Sequence, residues 1–171
     1  RGYRFCGRSI MAELSERFSG IDRLYGAGSV ARFSAARVAV VGVGGVGTWA
    51  AEALARTGIG HLTLIDADDI CLSNTNRQLP ALDGQYGQLK VDAMATRLQA
   101  INPQLQLTPV ARFLTRDNLE AMLAQDFDVV LDACDSFRTK VETIVFCRRR
   151  KIPLVVVGSA GGRTDPTQVR V

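Results

Sequence analysis

Glycines, carboxylates and cations gather in a few short stretches of this chain, and their types suit the handling of phosphate. Gly42-Val43-Gly44-Gly45-Val46-Gly47 follows the apolar run Val38 to Val41 and precedes the helix-like stretch Thr48 to Arg56. A phosphate oxygen reaches backbone N–H groups at a helix start only where no Cβ intervenes, so a glycine turn joining strand to helix is a phosphate site. In that reading Gly42 makes the tight turn, Gly44 (with Gly45 beside it) admits the close approach, and Gly47 lets the helix pack on the strand. Asp66 ends a second apolar run, His61 to Ile65, at the spacing of an acid that grips ribose hydroxyls. A purely structural turn is the alternative, since glycine-rich turns also serve packing.

More polar residues fall where strands are expected to end. They are Asp66-Ala67-Asp68-Asp69, Ser73-Asn74-Thr75-Asn76-Arg77-Gln78, Lys90, and Asp132-Ala133-Cys134-Asp135-Ser136. A nicotinamide dinucleotide needs little beyond the glycine turn and the ribose acid. A nucleoside triphosphate needs cations for its phosphates and a carboxylate for its metal. Arg77 and Lys90 can supply the cations and Asp135 can hold Mg2+, so the set favours ATP over hydride transfer. Each residue also has a plainer role: Asp66 as a strand cap, Arg77 and Lys90 as solvated charges, Asp135 as the N-cap of a helix beginning near Phe137. Cys134 reads as a packed thiol, Trp49 as core and His61 as surface.

The elements that must position these residues alternate. Strands are predicted over 38–41, 62–66, 105–111, 128–132 and 153–157. Helices are predicted over 46–57 closed at Gly58, 89–101 stopped at Asn102-Pro103, 116–125 with Thr115 as N-cap, and 137–150. This predicts an α/β fold, a doubly wound and mainly parallel Rossmann-like sheet covered on both faces. Ahead of it, Met11, Leu14, Phe18, Ile21 and Leu24 recur at helical spacing, and a second short helix is expected over 30–36. The chain thus divides into 1–10, sequence upstream of a start at Met11 or appended to it, a helical arm over 11–36 free to act as cap or dimer arm, and a nucleotide-binding domain over 37–171. That domain is expected to be incomplete at its C-terminus, because 168–171 reads as the beginning of another strand after a flexible turn over 158–162.

Composition narrows the class. A chain of 171 residues, 47% hydrophobic, can bury one sizeable core but not two full domains. No apolar stretch reaches the length of a membrane span and no signal-peptide pattern is present, so a cytoplasmic protein is expected. Cys6, Cys71, Cys134 and Cys147 form no CxxC pair, which suggests buried thiols rather than a zinc site or a disulfide framework. A net charge of +4 is compatible with nucleic-acid or polyphosphate partners. Arg148-Arg149-Arg150-Lys151 ends a predicted helix, where cations face the negative end of its dipole; an RNA-facing patch is the alternative.

Taken in order, Gly42 to Gly47, Asp66, Ser73 to Gln78, Lys90 and Asp135 resemble the ubiquitin-activating-enzyme-like adenylating superfamily, which includes activators of sulfur-carrier proteins. Within it the chain is most similar to the branch that acts on threonylcarbamoyladenosine in tRNA. That likeness rests on Arg17 to Gly26, on Asn74 to Gln78 and on Gly161 to Val169. Sulfur-carrier activators carry Arg-x-x-Arg in the first helix, its second arginine reaching the neighbouring subunit's phosphates. Here Arg17 is followed three residues on by Gly20, which leaves Arg23 as the candidate for that role.

The resemblance implies a mechanism. The substrate carboxylate attacks the α-phosphate of ATP, and the resulting acyl adenylate cyclises with loss of AMP, removing water overall. It implies that Arg77 and Lys90 hold phosphates, Asp135 holds magnesium, Asp66 grips the ribose and Asn74 orients the loop. Gly42, Gly44, Gly45, Gly47, Asp68 and Gln78 complete the nucleotide-binding set. Implied partners are tRNA, a second copy of the chain and a sulfur-transfer protein. The competing expectations are an activator of a ubiquitin-like sulfur carrier, a nicotinamide dehydrogenase and a non-catalytic nucleotide-binding scaffold.

Overall fold

Five parallel strands form one sheet in the order β3-β2-β1-β4-β5: β1 (Arg37–Val41), β2 (His61–Ile65), β3 (Gln106–Val110), β4 (Val129–Asp132) and β5 (Leu154–Val156). The computed structural model describes residues 10–158, 162 and 164–168. Around the sheet lie α1 (Ile10–Arg17), α2 (Ser19–Tyr25), α3 (Ser29–Ala35), α4 (Gly45–Thr57), α5 (Lys90–Ile101), α6 (Leu119–Leu123) and α7 (Phe137–Arg150). The predicted doubly wound α/β architecture is the one observed.

The central strands are apolar throughout because both their faces are covered. Val38 and Val40 of β1 pack with Leu62 and Leu64 of β2 beneath Ala51 and Ala55 of α4 and Val91, Met94 and Leu98 of α5. Ala39 and Val41, pointing the other way, pack with Val130 beneath Leu119 and Leu123 of α6 and Cys147 of α7. Pro109 is tolerated in β3 because that strand borders only β2. From β1 the chain winds outward to β2 and β3 and then crosses back to β4 on the other side. The carboxyl ends of β1 and β4 therefore flank a crevice at a topological switch point.

The N-terminal arm docks at the opposite end of the strands, their amino ends. Phe18 is buried where a Cβ on Gly58, at the end of α4, would lie 3.1 Å from its ring. Arg17 donates to the Ile101 carbonyl at the end of α5, and His61 N–H at the start of β2 donates to the Ala36 carbonyl. Exposed Arg23, on α2, belongs to this arm, which is attached at the amino ends of the strands and not at the crevice.

Several local expectations change. The helix predicted over 11–25 is two helices broken at Phe18, whose ring turns inward with Leu14 and Val30, while Leu24 is 71% exposed. Thr115 does not cap a helix over 116–125. Asn118 folds back to accept the Thr115 N–H and to donate to the Phe113 carbonyl, so α6 starts only at Leu119. Trp49 is 58% exposed rather than core, its indole N–H bonded to the Arg77 carbonyl. Cys71 is exposed, against the expectation of buried thiols, whereas Cys147 is buried. Gln168 ends a 3-10 turn, Pro166–Gln168, and does not begin a strand. The rest of 168–171, most of the turn over 158–162, parts of the 161–169 motif, and residues 1–9 with Cys6 lie outside the described residues. Among the described residues no helix is long and apolar enough to cross a membrane.

Helices α4 and α5 are joined across the sheet's face by charge as well as by apolar packing. Buried Glu52 accepts from Arg97 through both carboxylate oxygens and from Arg56 on its own helix. The Arg97 hydrogen bond outweighs the opposing effect of burial and holds the Glu52 carboxyl below its ordinary value of 4.5. Because the folded-state value is depressed, the stabilisation is present above that pH and is lost as pH falls through the folded value. Glu52→Gln is expected to cost about 1–2 kcal/mol at pH 7, discounted for the solvent exposure of both arginines. In urea unfolding at pH 7, 5 and 3, the gap between wild type and variant should shrink toward the acid end.

Candidate functional site

The glycine turn leaves β1 with Gly42 at φ +86°, a conformation that L side chains rarely adopt. A Cβ there would stand 2.7 Å from Cys134 N and 2.8 Å from Cys134 Cα, so the turn after β4 packs directly on Gly42. Gly47 is excluded from any side chain for a different reason: its Cβ would lie 1.8 Å from the Gly42 carbonyl oxygen. By contrast, the Cβ position on Gly44 meets nothing closer than Gln78 Nε2 at 4.0 Å. Gly44 is the N-cap of α4, with no side-chain cap bond, so the positive end of that helix opens toward the space Gly44 leaves.

Asp66, just past the end of β2, is 7% exposed and ties the turn to the next strand. Its Oδ2 accepts the Val43 N–H at 2.6 Å, and its Oδ1 accepts the Asp68 N–H at 2.8 Å. Asp68 in turn binds Lys90, the first residue of α5, with Nζ 2.7 Å from Oδ2. Lys90 is 6% exposed, which removes the reading of it as a solvated surface charge; an ammonium so buried needs a partner, and Asp68 supplies one.

The Ser73 to Gln78 loop closes over the glycines from the other side. Asn74 accepts the Cys71 N–H and sets a short 3-10 turn, Leu72–Asn74, from whose end the chain is directed back toward α4. The stem of Arg77 then crosses Gly45, where a Cβ would stand 3.3 Å from Arg77 Cγ, and its guanidinium donates to the Ser73 carbonyl and to Asn76. Gln78, 7% exposed, lies over Gly44 with its Oε1 buried and without a partner among the described residues.

Asp135 is exposed, with no side-chain partner among the described residues, and it stands two residues before α7. The N-cap of α7 is Ser136, whose hydroxyl accepts the Thr139 N–H, so the capping alternative for Asp135 does not hold. Sequence reasoning missed what lies below. Asp132 at the end of β4 is fully buried, and its Oδ1 accepts both the Cys134 N–H and Lys140 Nζ, each at 3.1 Å. The only signal was an acid at a strand end and a lysine eight residues on, one turn into the following helix. Cys134 sits between the two aspartates. Burial, reinforced by Asp132, pushes its thiol up to about 12.

The structure thus gathers Gly42, Gly44, Gly45, Gly47, Asp66, Asp68, Asn74, Arg77, Gln78, Lys90 and Asp135 around one crevice, linked by direct contacts or by adjacent backbone. Among the described residues no group of three His, Cys, Asp or Glu could hold a metal unaided. A single free carboxylate suits a magnesium ion whose remaining ligands are phosphate oxygens and water.

Across residues 19–170 the sequence matches the ThiF family. The chain belongs to the ThiF family. It is 46% identical over 168 residues to a tRNA threonylcarbamoyladenosine dehydratase of Haemophilus influenzae, covering 96% of this chain and 64% of that protein. Its identity to the Escherichia coli dehydratase is 52% over 156 residues, covering 91% of this chain and 58% of that protein. The chain therefore spans roughly three fifths of the length of these relatives. The crystal structure of the Escherichia coli enzyme in complex with ATP superposes with a TM-score of 0.89 at 50% identity, covering 94% of this chain and 66% of that one.

The site's steric demands can be checked one glycine at a time. Gly42→Ala should cost about 2–4 kcal/mol, combining strain with the clash against Cys134. Gly84→Ala, also at positive φ but with nothing within 4 Å, should cost about 1 kcal/mol. Equal losses in urea unfolding would mean that the contact with Cys134 carries no energy. The thiols give a second check. At pH 8, peptide-resolved alkylation by iodoacetamide should label exposed Cys71 well before Cys134, whose thiolate forms only at much higher pH.

Proposed function

We propose that this chain binds magnesium-ATP in the crevice between β1 and β4 and uses it to adenylate the carboxylate of threonylcarbamoyladenosine in tRNA. Cyclisation with net loss of water follows. The observation that carries the reading is the convergence of the uncapped, glycine-flanked start of α4 with a buried lysine, an arginine and an aspartate that has no side-chain partner among the described residues. The ATP complex of a relative at 50% identity supports the nucleotide, and the names of the two dehydratases support the substrate. Localisation in the cytoplasm and assembly with a second copy belong to the same proposal.

Electrostatics decides the roles. A carboxylate and a triphosphate repel each other, so the barrier falls only if cations neutralise the phosphates and hold the attack in line. Backbone N–H groups at the start of α4 receive phosphate oxygens where Gly44 leaves room, and Arg77, already lying across Gly45, turns its guanidinium onto the same anion. Lys90 adds a second positive charge, held in place by Asp68. Asp66 has both oxygens committed to backbone N–H groups yet keeps lone pairs for ribose hydroxyls. Asp135 fits as the protein's ligand to magnesium, which when bound would neutralise phosphate charge and favour departure of pyrophosphate. The substrate carboxylate oxygen forms a bond to the α-phosphorus as the bond to pyrophosphate breaks. A nucleophilic atom of the same substituent then attacks the activated carbonyl carbon, AMP leaves, and the ring closes.

The test incubates the protein with magnesium-ATP and tRNA bearing threonylcarbamoyladenosine, following pyrophosphate release and the mass of the modified nucleoside. The expected result is pyrophosphate together with loss of one water from the nucleoside. Arg77→Ala should weaken ATP binding by about tenfold to a hundredfold, the worth of one charge-assisted bond. Pyrophosphate release only with a ubiquitin-like carrier would assign the chain to sulfur-carrier activation. Tight NAD binding without magnesium dependence would indicate a dehydrogenase. ATP binding with no release from either substrate would indicate a scaffold.

A further inference from the structure

The turn that presents Asp135 hangs from a buried ion pair between Asp132 and Lys140. Asp132 is fully buried at the end of β4, and Lys140, whose side chain is 13% exposed, reaches it from the first turns of α7. Three separate pieces of chain meet at Asp132. Its Oδ1 holds the Cys134 N–H and Lys140 Nζ, while its carbonyl oxygen accepts from the Val157 N–H past β5 and lies 3.4 Å from Lys140 Nζ. Among the described residues its Oδ2 has no partner, and Oδ1 carries the compensation of a carboxylate taken out of water.

The backbone between Asp132 and Asp135 is also the backbone that fills the space above Gly42, with Ala133 N–H bonded to the Val41 carbonyl. A shift of that turn would therefore move the Asp135 carboxylate relative to the phosphate turn while leaving Arg77, Lys90 and the start of α4 where they are. We propose that the Asp132–Lys140 ion pair is a positioning device that fixes the Cys134 turn and so aims the Asp135 carboxylate at the metal accompanying the nucleotide. This rests on the reading of Asp135 as the magnesium ligand. Lys140 is a positioning residue and not a phosphate-binding lysine: its ammonium is committed to the oxygens of Asp132.

The pair's effect should appear in the coupling between metal and nucleotide and not in nucleotide binding itself. ATP affinity of the chain is measured by titration calorimetry in excess Mg2+ and in EDTA, and the ratio of the two dissociation constants is the readout. In wild type Mg2+ should tighten ATP binding, and Asp135→Asn should abolish that preference. Lys140→Met should cut it at least about fivefold while changing metal-free ATP affinity by less than about twofold. Lys140→Arg should restore it, since a guanidinium reaches the same oxygens.

Lys140→Met strands a buried carboxylate and risks unfolding. The double variant Asp132→Asn with Lys140→Met removes both charges together, and it should show the same loss of metal preference in a chain whose thermal melt is intact. If Asp135→Asn abolishes the preference but Lys140→Met and the double variant keep it, the positioning inference falls and the magnesium reading stands. If Lys140→Met weakens both affinities equally, the pair is merely structural and the inference falls. If Asp135→Asn, or wild type itself, shows no metal preference, the magnesium reading falls and takes the inference with it.

Discussion

The architecture of the crevice depends on one backbone contact, Gly42 against Cys134. Strands β1 and β4 are hydrogen-bonded neighbours, so the chains leaving their carboxyl ends emerge about 4.8 Å apart and compete for the same space. A residue with a Cβ at position 42 would push the Cys134 turn away; its absence, with φ at +86°, lets one turn rest on the other. The turn that opens α4 and the turn that presents Asp135 are thereby held in a fixed relation. In the proposed nucleotide site, this packing and the hydrogen bonds of Asp66 and Asp132 would set the relative placement of the groups before any ligand arrives.

Around that contact the charged residues are arranged in pairs with different tasks. Glu52 with its two arginines joins α4 to α5 and serves the scaffold. Lys90 with Asp68, and Asp132 with Lys140, lie beside the crevice, where in the proposed site each would secure a charge or a turn whose alternative placements would be many in a solvated loop. Among the described residues two exposed groups at the crevice have no partner of opposite charge: Arg77 on the loop side and Asp135 on the far side. Pre-organisation of this kind avoids reordering groups when charge develops on the phosphates.

The N-terminal arm illustrates a different constraint. Phe18, Arg17 and the residues following α3 bind the ends of α4 and α5 and the start of β2, all at the amino ends of the strands, away from the crevice. The break between α1 and α2 falls at Phe18, the residue that packs beside Gly58.

What the amino-acid order alone determined was the sequence of elements, the doubly wound class, the glycine turn and the set of polar residues grouped at the strand ends. These are local or periodic properties: apolar runs of strand length, helical spacing, glycine at helix boundaries, and short motifs whose members are neighbours along the chain. The N-cap of α7 and the brevity of α6 were decided by single hydrogen bonds, from Thr139 to Ser136 and from Thr115 to Asn118, which composition could not rank against the competing caps. Trp49 and Lys90 show the same limit in opposite senses. Hydrophobicity assigned the indole to the core, but its face of α4 looks outward to the Arg77 loop. Charge left the lysine open to a reading as solvated, but α5 begins against Asp68. The Asp132–Lys140 pair could be recognised only in the folded chain, because an ion pair is defined by which charges share a low-dielectric space, and that is a property of tertiary packing.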